Sequence, residues 1–288
     1  MYLAPYSNAE NAERAAQKAA PADAALIAKI ASEPQASWYG GWSADITTVV
    51  GNYVNAAERA HALALLVAYN VPNRDCGQYS AGGARDSSEY IEWITAFATG
   101  IGARRAVVVL EPDALPLLTQ CLSEADQAKR LELIRQAVAI LEARPGVSVY
   151  IDAGHSAWVP AADMAQRLKR AGIESARGFA LNTSNFQTDG ELIAYGNALI
   201  QALGVGSHFI IDSSRNGNGP APPSDESWCN PEGRALGRRP TADTGEAALD
   251  AYVWIKRPGE SDGECKGGPA AGQWFQQRAV EMARNAKW

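Results

Sequence analysis

Short, almost wholly apolar runs recur along the chain and predict buried β-strands. Two of them end on carboxylates: Val107–Leu110 leads into Glu111 and Asp113, and Val147–Ile151 leads into Asp152. Runs this apolar are typical of parallel strands that are covered on both faces. The predicted strands are a possible short first strand at Ser37–Tyr39, followed by Leu63–Tyr69, Ala106–Leu110, Val147–Ile151, Gly178–Leu181, Phe209–Ile211 and Ala251–Ile255.

Helical periodicity alternates with these runs. The predicted helices are Ala22–Ser32, Ala44–Leu63, Ser87–Ile101, Glu124–Glu142, Ala161–Ala171, Glu191–Leu203 and Gln273–Ala286. Such alternation predicts βαβ units and a parallel sheet. Six or seven strands fit either a (β/α) barrel or an open doubly wound sheet, and the pattern alone leaves both open. No linker or low-complexity tract divides residues 1–288, so a single domain is expected.

Two long loops and four cysteines accompany this pattern. The segments Ser213–Gly245 and Pro258–Gly272 are rich in turn residues, and loops of this length are usually functional. The cysteines all lie in predicted loops, at Cys76, Cys121, Cys229 and Cys265. Their wide spacing disfavours a zinc site, and their even number favours two disulfides over four unrelated thiols. One bridge between the two long loops, and one between the loops after the first two long strands, are the natural pairings.

Composition narrows the partners and the compartment. The chain is 47% hydrophobic and 20% charged, with a net charge of −6 and no stripe of Lys or Arg, which disfavours nucleic acid and anionic membranes as partners. No apolar stretch approaches the roughly 20 residues that cross a bilayer. The first residues lack the basic and apolar regions of a signal peptide. That fits a cytosolic protein or a mature secreted domain, and the cysteines favour the secreted, extracellular alternative.

Seven acidic residues follow the predicted strand ends: Asp75, Glu111, Asp113, Asp152, Asp212, Glu260 and Asp262. Closure of a barrel or sheet gathers such residues on one face. A pocket of like charges must raise at least one pKa, which is what a general acid needs. Clustered carboxylates also bind magnesium or calcium. The sequence has no EF-hand loop, no H-E-x-x-H motif and only three His, so neither a metal nor a cofactor is expected.

Tryptophan indicates the class of substrate. Of eight Trp, Trp38, Trp158 and Trp228 lie in predicted loops near the acids, while Trp254 lies inside an apolar run and is expected in the core. Flat rings beside acids are typical of sugar clefts, because aromatic faces stack on pyranose rings while polar groups hold the hydroxyls.

Five stretches of the chain resemble signatures of glycoside hydrolase family 6, the cellulases. They are Val67–Gly77, Val107–Pro116, Asp152–Trp158, Ser214–Pro220 and Trp254–Gly263, in the expected order and spread over most of the chain. The resemblance implies a distorted (β/α) barrel with about seven parallel strands and inverting hydrolysis of β-1,4-glucan. It also implies the disulfides Cys76–Cys121 and Cys229–Cys265.

The resemblance implies catalytic roles by position. Asp113 matches the general acid. Asp75 matches the neighbouring carboxylate that raises the acid's pKa and takes part in the proton network. Asp262 matches the proposed base, which acts through a water chain, so the division of base work between Asp75 and Asp262 stays open. Asp152 supports the acid. Tyr69 matches the tyrosine that crowds the sugar at the cleavage point.

Substrate contacts follow in the same way. Trp38 and Trp228 match glucose-stacking positions on one side of the scissile bond, and Trp158 matches one on the other side. The polar contacts implied are His155, Asn185, Lys256 and Glu260. Ala81 departs from the family, in which a serine at this position can hold a catalytic water; the adjacent Ser80 is a possible substitute.

Other acids have structural interpretations. Glu111 is expected to hold a loop, and Asp212 to anchor the turn at Asn216–Gly219, pair with Arg215 or touch substrate. The short segment between Asp262 and the last helix favours an endoglucanase with an open cleft and cellulose or another β-1,4-glucan as substrate. Alternatives are a cellobiohydrolase of the same family and a non-catalytic glucan-binding protein. A monomer is expected.

Overall fold

The computed structural model describes residues 1–224 and 226–288. Strands and helices alternate along the chain, as predicted. The helices are α1 Asn8–Ala19, α2 Pro21–Ala31, α3 Ile46–Arg59, α4 Ser87–Ile101, α5 Glu124–Glu142, α6 Ala161–Arg170, α7 Asp189–Leu203 and α8 Gln276–Asn285. The strands are β1 Ser37–Tyr39, β2 Ala64–Ala68, β3 Ala106–Leu110, β4 Val147–Asp152, β5 Gly178–Leu181, β6 His208–Asp212 and β7 Leu249–Val253.

The seven strands form one parallel sheet in chain order, from β1 to β7. The sheet curls until its two edges approach each other, where the Ala36 N–H donates to the Trp254 carbonyl at 2.9 Å. A helix separates each pair of consecutive strands from β1 to β6, and a long loop joins β6 to β7. Chain-order pairing of this kind is the topology of a (β/α) barrel rather than of an open doubly wound sheet. The predicted distorted barrel is therefore confirmed, and its strand ends all face one side.

Both faces of the strands are buried, which explains their unbroken apolar runs. In β2, Leu65 and Val67 point into the barrel and pack with residues such as Val109 and Ile210. The alternate residue Leu66 packs outward in the core between sheet and helices. Since neither face meets water, the period-2 alternation of a half-exposed strand is absent from these runs.

Most helices begin at polar caps. In α7 the Thr188 side chain accepts from the Glu191 N–H, and the Glu191 side chain accepts from the Thr188 N–H, which together form a capping box. Several predicted ends shift by two or three residues: β7 begins at Leu249, and α8 begins at Gln276. Helix α1 was not predicted. Its buried residues are Ala9 and Ala16, so its inner face has no large apolar side chain that would mark it as a core helix.

Two disulfides join loops on the site face, Cys76–Cys121 and Cys229–Cys265, which are the expected pairs. Trp254 is fully buried, as predicted. Across the described part of the chain, no helix combines the length and apolarity needed to span a membrane.

Candidate active site

A cleft of about 820 Å³ opens at the carboxyl ends of the strands. Nearly all the predicted site residues line it: Trp38, Tyr69, Asp75, Asp113, His155, Trp158, Asn185, Trp228, Lys256, Glu260 and Asp262. The exception is Asp152, which is fully buried at the end of β4 and contacts the cleft residue Asp113. The fold thus brings together carboxylates and aromatic rings that lie far apart in the sequence.

Asp113 lies directly beyond β3 on backbone in the left-handed region, with φ 68°. Its N–H donates to Asp152 Oδ2 at 3.0 Å, and Asp152 also accepts from the Gly154 N–H at 3.3 Å. Burial raises the pKa of Asp113 well above its usual range, and the charges of Asp152 and Asp75 raise it further. Burial also raises the pKa of Asp152, to about 6. Asp113 therefore retains its proton at pH values where an exposed aspartate is ionised.

Asp75 lies on the loop after β2 and also has a positive φ, 56°. Its Oδ2 accepts from the Ser80 N–H at 2.7 Å, and burial raises its pKa. Left-handed backbone at a residue other than glycine costs about 1–3 kcal/mol and persists where the surrounding structure enforces it. Asp75 and Asp113 thus share a strained conformation that directs both carboxyl groups into the cleft.

The buried Arg74 holds the Asp75 loop in place. Its guanidinium donates to three backbone carbonyls, those of Tyr69 at 2.8 Å, Ser80 at 2.7 Å and Ala81 at 3.0 Å. It also lies 4.6 Å from the centroid of the Tyr69 ring. One side chain therefore ties the loop to the end of β2.

Tyr69 is almost fully buried at the floor of the cleft. The Trp38 ring meets it edge to face at 5.4 Å, and the Trp38 Nε1–H donates to the Ile255 carbonyl at 2.8 Å. Burial and the charge of Asp113 raise the pKa of Tyr69 well above its usual range. Its hydroxyl therefore stays protonated near the acid.

Asp262 has the opposite electrostatic environment. Arg215 Nη1 donates to both of its carboxylate oxygens, at 2.8 and 2.9 Å, and Lys256 Nζ lies 3.3 Å from Oδ1. The Asn230 N–H adds a third donor at 3.0 Å. Burial raises the pKa of Asp262, but the charges of Arg215 and Lys256 outweigh this and hold the pKa below its usual range. Asp262 is therefore a firmly ionised carboxylate.

The remaining predicted contacts surround these acids. Glu260 Oε1 accepts from Asn8 Nδ2 at 2.7 Å and from Arg257 at 3.3 Å. The His155 ring lies 5.4 Å from that of Trp158, and burial lowers the pKa of His155 to about 4, so this imidazole is neutral at ordinary pH. Asn185 Nδ2 donates to the Thr183 carbonyl at 3.0 Å.

Glu111 and Asp212 hold backbone rather than lining the cleft. Glu111 accepts from the N–H groups of Asn70 and Val71 at 3.0 Å, and burial raises its pKa to about 7. This agrees with its expected loop-holding role.

Asp212 accepts from four backbone N–H groups, those of Ser184, Ser214, Ile255 and Lys256. It therefore ties together the chain beyond β5, β6 and β7. Of the three alternatives for Asp212, a pairing with Arg215 is wrong, because Arg215 binds Asp262 instead.

Two exposed aromatic residues of the cleft were not predicted. Trp42 is 58% exposed, and the Arg74 guanidinium lies over its ring, with Arg74 Cζ 5.0 Å from the ring centroid. Tyr79 is 42% exposed and contacts Trp228, with ring centroids 6.0 Å apart. Both follow predicted strands closely, and an inspection of every aromatic beyond a strand end would have found them. Among residues 1–224 and 226–288, no three His, Cys, Asp or Glu side chains come together as a metal-binding group.

Comparison with known proteins identifies the family. The model for glycosyl hydrolases family 6 matches residues 1–286. Endoglucanase A of Cellulomonas fimi is 48% identical over 277 residues, which are 96% of this chain and 59% of the relative. Endoglucanase 1 of Streptomyces halstedii is 46% identical over 267 residues, 90% of this chain and 81% of the relative. The chain thus spans about three fifths of the length of the Cellulomonas protein.

A solved structure gives the same result for the fold. The endoglucanase Cel6 of Mycobacterium tuberculosis, in complex with methyl-cellobiosyl-4-deoxy-4-thio-β-D-cellobioside, superposes with a TM-score of 0.94 at 44% identity. The match covers 99% of this chain and 96% of the other. With a family model spanning almost every residue and relatives at this level of identity, the chain belongs to glycosyl hydrolases family 6.

Proposed function

We propose that residues 1–288 form a single catalytic domain that hydrolyses internal β-1,4-glucosidic bonds of cellulose and related glucans with inversion of the anomeric carbon. The observation that carries this proposal is the acid cluster at the cleft, in which burial and the charges of Asp152 and Asp75 raise the pKa of Asp113 while Arg215 and Lys256 lower that of Asp262. The family, and relatives named endoglucanase, support the reaction.

Asp113 is the proposed general acid. Its raised pKa keeps a proton available for the glycosidic oxygen, whose departure is otherwise slow. Inversion requires that a base activate water on the opposite face of the sugar ring. The proposed acid therefore needs a second carboxylate that can accept a proton.

Asp75 suits the base role better than Asp262. Both oxygens of Asp262 are occupied by Arg215, and Lys256 and the Asn230 N–H take further positions, so a proton there would displace a buried ion pair. A carboxylate with a lowered pKa is also a weak base. Asp75 has a raised pKa, and Ser80 supplies one backbone donor to Oδ2. We propose that Asp75 takes up the proton of the attacking water, and that Asp262 holds Arg215 and Lys256 in place through its ion pairs.

The aromatic rings supply the binding surface. Trp38, Trp158 and Trp228 line the cleft on different loops, where each can stack on a glucose face. Tyr69 contacts Trp38 and Arg74 at the floor of the cleft, and its proposed role is to crowd the sugar beside Asp113. His155, Asn185, Lys256 and Glu260 are the proposed hydroxyl contacts. The complexes of solved relatives with cello-oligosaccharide analogues support a glucan as the ligand.

Viscometry tests the proposed endo action. The protein is expected to lower the viscosity of carboxymethylcellulose long before reducing ends accumulate, because one internal cut halves a chain. Release of mainly cellobiose at constant viscosity would indicate the cellobiohydrolase alternative. Binding of cellopentaose without hydrolysis, both by the wild type and by Asp113→Asn, would indicate a glucan-binding protein.

Asp152→Asn is expected to move the alkaline limb of the pH profile of kcat/KM to lower pH. The amide can still accept the Asp113 N–H bond, but it removes the negative charge that helps to raise the pKa of Asp113. Asp113 then loses its proton at lower pH, so activity falls earlier as the pH rises. Rates for cellopentaose between pH 4 and 9 measure the shift. An unchanged limb would contradict the assignment of Asp113 as the titrating acid.

Extracellular location is also proposed. Two disulfides pin loops at the site, and disulfides form and persist in oxidising compartments. We expect the domain to be secreted and to act on cellulose outside the cell as a monomer.

A further inference from the structure

Tyr79 joins the two walls of the cleft. It lies on the loop after β2, which carries Asp75, and its ring contacts Trp228 on the loop after β6. Its hydroxyl donates to Glu226 Oε1 at 3.3 Å. The walls that carry the proposed base and one of the proposed stacking rings therefore touch each other.

The same ring packs on the loop after β7. A Cβ at Gly263 would lie 2.4 Å from the Tyr79 ring, so only glycine admits the ring at this point. Gly263 follows Asp262 directly. Tyr79 thus contacts the wall that holds the Asp262, Arg215 and Lys256 ion-pair cluster, and the open cleft expected from the sequence is bridged at this position.

Both sides of the bridge are held firmly, but the bridge itself is not. Cys76–Cys121 fixes the root of the Tyr79 loop, and Cys229–Cys265 links the two loops opposite. The contacts that join them are those of the half-exposed Tyr79 ring with Trp228 and Gly263, and one long hydrogen bond to Glu226. Aromatic contacts of this kind shift an equilibrium by about 2- to 10-fold, so the bridge can open on its own.

We propose that Tyr79 is a specificity-determining residue that sets how the enzyme engages a polymeric chain. This inference rests on the proposed glucanase function. An internal segment of a glucan has no free end to thread, so it enters sideways only when the Tyr79 contact opens. Once the contact closes over the chain, it retards release and favours a second cut on the same chain.

The test compares Tyr79→Ala, Tyr79→Phe and Tyr6→Ala on insoluble cellulose and on cellopentaose. The ratio of soluble to insoluble reducing ends reports successive cuts on one chain. It is expected to fall about 2- to 10-fold in Tyr79→Ala, and by less in Tyr79→Phe, which keeps the ring but loses the bond to Glu226. Tyr6, an exposed ring outside the cleft, is the matched control and should keep the wild-type ratio.

Hydrogen exchange of the free protein supplies a readout that does not depend on activity. Backbone amides of residues 77–82 should exchange faster in Tyr79→Ala than in the wild type, while α5 amides keep their protection. Equal ratios and equal exchange in wild type and Tyr79→Ala would overturn the inference and leave the proposed function standing. A wild type that hydrolyses neither substrate would overturn both.

Discussion

Asp113→Asn is expected to lower kcat on cellopentaose by about 10²- to 10⁴-fold, since the glycosidic oxygen would then leave without a proton. The asparagine is isosteric and keeps the Asp113 backbone bond to Asp152. Folding should therefore be unchanged, and KM should change far less than kcat. Steady-state kinetics with reducing-sugar detection, together with a thermal unfolding curve of each protein, provide the measurement.

A matched substrate separates lost acid catalysis from lost structure. 2,4-Dinitrophenyl β-cellobioside has a leaving group that departs without protonation, so Asp113→Asn should retain a much larger share of the wild-type rate on it than on cellopentaose. An equal loss on both substrates would contradict the assignment of Asp113 as proton donor. A wild-type rate on cellopentaose would exclude it directly.

Asp75→Asn is expected to lower kcat by about 10²-fold or more, since this side chain is proposed to take up the proton of the attacking water. The amide cannot accept that proton but can still accept the bond from the Ser80 N–H. The loss should be the same on cellopentaose and on the dinitrophenyl substrate, because activation of water is needed whichever group leaves. Comparing the two substrates in one variant therefore distinguishes a base from an acid.

Asp262→Asn is the matched comparison for the base. Removing its charge leaves Arg215 and Lys256 without their carboxylate partner, and breaking a buried ion pair costs about 3–5 kcal/mol of unfolding free energy. We expect this variant to lose more stability and less kcat than Asp75→Asn, measured by urea unfolding and by kinetics at a temperature where both are folded. A larger loss of kcat in folded Asp262→Asn would return the base role to Asp262.

The strands and the cluster of acids were predictable because their signals are local. A strand buried on both faces must be apolar throughout, so Val107–Leu110 and Val147–Ile151 are visible in the sequence, and the acids that end them mark the site edge. Placement of the tryptophans and of both disulfides followed from loop positions and from the family resemblance. Helix α1 escaped because it buries only two alanines.

The electrostatic division among the acids could not be predicted, because it depends on contacts between distant segments. Asp75 and Asp262 are both aspartates beyond strand ends, and only the fold shows that Arg215 and Lys256 neutralise one of them while burial raises the pKa of the other. The positive φ of Asp75 and Asp113 is likewise imposed by the surrounding structure. The contact of Tyr79 with Gly263 joins residues far apart in the chain and leaves no pattern in the sequence.

The anomer released first tests the proposed mechanism most directly, since an acid and a water-activating base on opposite faces of the sugar can only invert. Proton NMR of cellopentaose in the first minutes of hydrolysis distinguishes the new α reducing end from the β form before mutarotation mixes them. The α-anomer is expected to appear first and then to decay towards the equilibrium mixture. A β-anomer as the first product would contradict inversion, and with it the pairing of Asp113 as acid with a water-activating base.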